Sequence, residues 1–175
     1  MEATEVILKT LNMNARFLDI ALSGLTDEQL NESPDPESNP AGWLWWHKYR
    51  VEDNSIAHGP GDPAVWTEGG WPEKFGLDIA PGDLGIGHTP EKARSLKFRK
   101  KDLAAYAETV REKTAAALGA MSPENLDREI PDIVPDQTIR VGEFLGRSLT
   151  IDNFHHSGQI CYLRGHLTGF GWAPI

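Results

Sequence analysis

The chain has 175 residues, 39% of them apolar and 25% charged, which is enough for one domain with a sizeable core. A net charge of −9 argues against nucleic acid as a partner, because phosphate recognition needs a Lys/Arg footprint, and the acids are spread along the chain as a solvated surface would have them. The single cysteine, Cys161, leaves no partner for an intramolecular disulfide and suits a reducing compartment.

The N-terminal MEATEVILKT lacks the basic start and apolar run of a secretory signal, and no apolar run approaches the 18 or so residues that span a bilayer. The expectation is a cytoplasmic protein with no membrane partner, folded as one domain over residues 1–175.

A first helix is expected from about Glu5 to Ser23, with Thr4 as N-cap. Its apolar stripe is Ile7, Leu8, Leu11, Phe17, Leu18, Ala21, Leu22 and Leu25. The LTDEQL that follows suits a short helical turn. Asn39-Pro40 opens a second helix, as N-cap and first helical residue, running to about Ala57 before Gly59-Pro60 stops it. Residues 58–100 are rich in Gly and Pro and carry Trp66 and Trp71. Thr89-Pro90-Glu91 suits a short helix there, and the stretch reads equally as a site wall or as a plain surface crossover.

A third helix is expected from Lys101 to Met121, rich in Ala, Glu and Lys, with Leu103, Tyr106, Val110, Thr114, Ala117 and Met121 as its stripe. Ser122-Pro123-Glu124 starts another turn, and IPDIVPDQTI reads as extended loop. A fourth helix spans Val141 to Thr168 and ends before GFGWAPI. Four long helices with one long crossover connection predict an all-α four-helix bundle.

The fourth helix raises the chemical question. Leu145, Leu149, Asp152, His156, Ile160, Leu163 and Leu167 share one face, so an acid and a histidine point inward, their Cβ atoms roughly 5–6 Å apart. A buried carboxylate without compensation costs several kcal/mol. On the second helix, His47 sits within WLWW on the face of Trp43, Leu44 and Val51. Two imidazoles and one carboxylate make a three-ligand site for a first-row divalent ion, with positions open for water or substrate. A salt-bridged Asp152–His156 pair, with His47 bonded elsewhere, satisfies the same spacing.

Neighbouring residues have two readings each. His155 lies one position off the leucine stripe and competes with His156 as ligand, or supports the site from outside. Gln159, three residues past His156, is placed to bind a ligand or a metal-bound water, or simply to pack. Arg50 could pair with Asp152 or attract a substrate carboxylate, or bridge Glu52 or Asp53. His58 and His88 read as solvated loop residues. His166 stands near a helix C-terminus, where a cation is favoured. Cys161 reads as a small buried residue, with no base beside it.

LTIDNFHHSGQICYLRG resembles the last-helix signature of the DinB/YfiT-like superfamily: a ligand, three residues, then His, a small or basic residue and Gly-Gln. Here it reads D-N-F-H-H-S-G-Q. WLWWHKYRVED resembles the second-helix motif, whose His supplies the remaining ligand, and the LTDEQLNESP and SPENLDREI turns are similar too. The resemblance covers most of the chain and is weakest over residues 58–100. It implies a DinB-like four-helix bundle with His47, Asp152 and His156 as ligands.

Most relatives carry His where Asp152 stands, and the branch resembling mycothiol-dependent maleylpyruvate isomerase carries Glu. The resemblance therefore implies a divalent metal (Zn or Ni, alternatively Fe or Mn) and a small-molecule substrate. It also implies a low-molecular-weight thiol cosubstrate, a homodimer, and thiol-dependent transferase, isomerase or hydrolase chemistry. The other class it allows is a non-catalytic metal- or ligand-binding bundle, such as a stress-related dimer.

Overall fold

The computed structural model describes residues 2–173 except Pro60, Asp62 and Ile133. Its elements in order are α1 (Ala3–Leu22), α2 (Asp27–Leu30), α3 (Ala41–His58), α4 (Val65–Glu68), α5 (Trp71–Phe75), α6 (Pro90–Ser95), α7 (Lys100–Ala120) and α8 (Pro123–Asp127). A hairpin of β1 (Glu129–Pro131) and β2 (Thr138–Arg140) follows. Then come α9 (Val141–Phe144), a π-helical turn (Leu145–Ile151) and α10 (Asp152–Thr168), which run on as one rod. The protein is an all-α four-helix bundle whose long helices are α1, α3, α7 and the α9–π–α10 rod, with residues 59–99 as the crossover.

Local chemistry sets the starts of three short helices. Thr26 and Gln29 form a capping box that starts α2, and Ser122 and Asn125 do the same for α8. Thr89 caps α6 ahead of Pro90. Two expected caps move: α1 starts at Ala3 with Thr4 already inside it, and Pro40 rather than Asn39 takes the N-cap position of α3. Phe17 is solvent-exposed on α1, because Leu11, Ala15, Leu18 and Leu22 already fill the face that meets the bundle.

The rod into α10 is not α-helical throughout. The π turn over Leu145–Ile151 widens the winding just before Asp152 while Leu145 and Leu149 stay fully buried. Two prolines did not keep the IPDIVPDQTI stretch wholly irregular. Ile130 pairs with Ile139 in the antiparallel hairpin, with Pro131 at its edge, and Asp132 holds Arg147 through both guanidinium nitrogens, at 3.2 and 2.6 Å.

α3 is the central element, with nearly every residue from Ala41 to Ile56 buried. α10 and α7 pack on its flanks, and the crossover closes its remaining face. The crossover is therefore no plain surface connection. Trp66, Trp71, Phe75, Ile79 and Phe98 join Trp46 and Tyr106 in one aromatic core. A second apolar cluster, around Leu11, Ile56, Leu118, Phe144 and Leu149, fills the other end of the bundle. On the α10 stripe, Asp152 and His156 fall between Leu149 of the second cluster and Ile160 of the first.

Candidate metal centre

Central α3 contributes His47, which is 6% exposed, and α10 contributes Asp152 and His156, which are partly buried. Their donor atoms all lie within 4.8 Å of one another. Oδ2 of Asp152 is 3.9 Å from Nε2 of His47 and 3.5 Å from Nε2 of His156, too far for good hydrogen bonds. Donors 2.0–2.2 Å from a shared ion sit roughly 3–3.6 Å apart, so a small contraction would suit one ion.

The hydrogen bonds around the rings decide what these atoms offer. Nδ1 of His47 donates to the Leu84 carbonyl, and Nδ1 of His156 donates to Oε1 of Gln159 at 2.7 Å. With Nδ1 protonated on each neutral ring, each Nε2 presents a lone pair. Two lone pairs and a carboxylate oxygen then face one another with no donor between them. The other oxygen, Oδ1 of Asp152, is buried and has no hydrogen-bond partner among the described residues. A pocket of convergent acceptors with an orphaned carboxylate oxygen fits a divalent cation, and these are the ligand atom types such an ion takes.

The ring environments bear on protonation. Burial is the largest influence on His47 and drives its pKa below 6.5, against the Leu84 bond and the Asp152 charge. For His156 burial again opposes charge, but Asp152 and Gln159 outweigh it and the pKa rises. Trp43 stacks on His47, with centroids 4.9 Å apart and planes within 9°, while His156 meets the His47 ring edge-on at 4.6 Å.

His155 stands outside the cluster, exposed and lying parallel to His156 at 5.2 Å. Gln159 touches His156 and also lines a groove of about 720 Å³ between α10 and residues 34–39, with His155, Tyr162 and His166. Arg50 is not at the site. Its guanidinium is buried and bonded to Asp53, Tyr106 and the carbonyls of Asp83 and Pro81, and it lies over Trp66. Its contact with Asp53 matches one of the two surface acids expected for it, but inside the core. His58 is exposed and bonds the Pro131 carbonyl. His88 is not solvated: it lies between Asp83 and Trp43. Cys161 is half-buried where a buried residue was expected, and that partial burial raises its thiol pKa.

The sequence reading missed three groups around the site. Leu84 and its loop reach His47 from the crossover. Asn14 on α1 donates to Ser157 Oγ at 3.0 Å and to the Asn153 carbonyl, and those two buried residues follow Asp152 and His156 by one position each. Lys48 is fully buried beside His47, 3.8 Å from Glu52, which accepts from Thr114 at 2.8 Å. The signal for Asn153 and Ser157 was present, as a second polar pair at i and i+4. The loop contact had none beyond its glycines.

Among the described residues, no helix is long and apolar enough to cross a membrane. No curated protein matches the chain. Its fold is similar to that in a crystal structure of a conserved protein from Enterococcus faecalis, with a TM-score of 0.87 and 27% identity over 97% of this chain and 99% of that one. The sequence profile of the DinB superfamily matches residues 11–160. The chain belongs to the DinB superfamily.

Proposed function

We propose that His47, Asp152 and His156 hold a divalent ion, zinc or nickel before iron or manganese, and that the protein is a metal-dependent enzyme acting on a small molecule. One observation carries this reading: two imidazole lone pairs and a carboxylate converge with no donor among them, and Asp152 Oδ1 is buried without a partner among the described residues. When bound, such an ion supplies Lewis acidity, lowering the pKa of a coordinated water or thiol toward neutrality.

The chain's own residues would do the rest. The Leu84 carbonyl and Gln159 keep the Nδ1 protons in place, so both Nε2 atoms face inward. Trp43 covers one face of His47 and keeps water from it. The groove along α10 gives a small substrate, or a thiol cosubstrate, a place beside the centre, and Gln159 links that groove to His156. Membership of the DinB superfamily supports the same reading.

The test is metal content by elemental mass spectrometry on protein purified without an affinity tag, beside Asp152→Ala and His156→Ala. About one ion per wild-type chain, lost in both variants, is the expected result. A wild-type chain that takes up no ion after supplementation refutes it. Transferase and hydrolase assays with low-molecular-weight thiols then separate an enzyme from a metal-holding bundle without turnover.

A further inference from the structure

The loop Asp83–His88 hydrogen-bonds the candidate centre through one backbone carbonyl, and its own side chains tie it down at several further points. Oδ1 of Asp83 accepts from the Gly85 amide at 2.7 Å, and Oδ2 accepts from Nε2 of His88 at 2.9 Å. Nδ1 of His88 accepts from the indole N–H of Trp43 at 3.2 Å. An indole only donates, so His88 carries its proton on Nε2 and bridges loop to helix in one sense. Arg50 anchors the loop's start through the Pro81 and Asp83 carbonyls.

Gly85 shows how close the approach is. Its φ is +84°, and a Cβ there would sit 2.8 Å from ring carbons of Trp43 and Trp46 and 3.1 Å from Nδ1 of His47. Only glycine lets the backbone lie on that aromatic floor. The consequence is that the Leu84 carbonyl meets Nδ1 of His47. Trp43 thus serves twice, stacking on His47 and tethering His88.

We propose that the Asp83–His88 loop is an orienting clamp for His47, with His88, Asp83 and Gly85 as positioning residues that set its tautomer and ring direction from outside the ligand set. The clamp's effect on metal affinity rests on the metal-centre reading above; its effect on the His47 tautomer does not. A neutral imidazole without the Leu84 carbonyl is free to move its proton to Nε2, where Asp152 would accept it and the lone pair for a metal would be lost.

The experiment has two readouts on metal-free and zinc-titrated protein: the His47 ring nitrogen shifts by NMR at pH 8, and zinc affinity by competition with a chromophoric chelator. Wild type should show His47 protonated on Nδ1. His88→Ala and Gly85→Ala should shift the proton toward Nε2 and weaken zinc binding roughly 10–100-fold. His88→Gln, which can still donate to Asp83, should recover much of both.

Variants that keep the Nδ1 proton and wild-type affinity overturn the proposal, as does an affinity loss with the tautomer unchanged. A wild type that binds zinc but holds the His47 proton on Nε2 overturns the clamp and leaves the metal centre standing. A wild type with the Nδ1 proton and no zinc binding leaves the clamp standing and refutes the metal centre.

Discussion

Asp152 carries the chemical argument, because its carboxylate faces two ring nitrogens and has a buried oxygen with no partner among the described residues. Asp152→Asn keeps the shape and replaces one acceptor by a donor. At pH 8 in the presence of chelator, denaturant titration should show this variant more stable than wild type by about 1 kcal/mol, as a lone-pair clash becomes a hydrogen bond. Added zinc should stabilise wild type and leave Asp152→Asn unmoved.

Lys48 poses a different residue-scale problem. Burial is the main reason its pKa drops from 10.5 to about 8, so its charge is kept near neutrality at a cost, partly offset by Glu52. Lys48→Met alone strands Glu52 and should lose about 3 kcal/mol at pH 7. Lys48→Met combined with Glu52→Gln, which still accepts from Thr114, should recover that loss or exceed it. The sign with pH is definite. Between pH 8 and 10.5 the unfolded chain holds a Lys48 proton that the folded chain has released, so wild type should gain on the double variant across that window.

At the scale of elements, Asp53 of α3 fastens the start of the crossover, as Arg50, His47 and Trp43 fasten its later loop. Asp53 accepts from the Val65 and Trp66 amides at 2.7 and 2.8 Å, from the Tyr106 hydroxyl at 2.9 Å and from Arg50 at 3.2 Å. Asp53→Ala leaves the Arg50 charge buried without its carboxylate and should cost about 3–5 kcal/mol. Hydrogen exchange should rise first across α4 and α5, whose place over α3 depends on this carboxylate. Sequence periodicity located the long helices because each needs one apolar stripe, and Leu11, Leu18 and Leu22 or Leu103, Tyr106 and Val110 provide it. The π turn was not legible, because Leu145 and Leu149 satisfy an α-helical stripe equally well.

For the whole molecule, metal binding and folding draw on the same two imidazoles, His47 and His156. The raised pKa of His156 means its protonation stabilises the metal-free fold below about pH 6.5, a gain lost as pH rises through its folded value. The depressed pKa of His47 acts oppositely: its contribution is present above about pH 6.5 and lost as pH falls. A bound ion needs both rings neutral, and protons compete for His156 first. Zinc at 100 times its dissociation constant should add about 2.7 kcal/mol, a melting shift of about 5–10 °C at pH 8. Scanning calorimetry should show that shift shrinking as pH falls, starting above pH 6.5 and nearly gone by pH 5.

The sequence by itself determined the all-α bundle, its four long helices and the placement of Asp152, His156 and His47 on inward faces. Those properties depend on residues a few positions apart, which a helix brings together whatever surrounds it. The tertiary structure decided what those side chains meet. Arg50 met the Pro81 and Asp83 carbonyls, His88 left solvent for Trp43, and Leu84 arrived on His47 from 37 residues away. Each of these contacts closes a loop of 31 to 45 residues, and its energy comes from burying the crossover's aromatic rings against α3 and α7, which local spacing along the chain cannot encode.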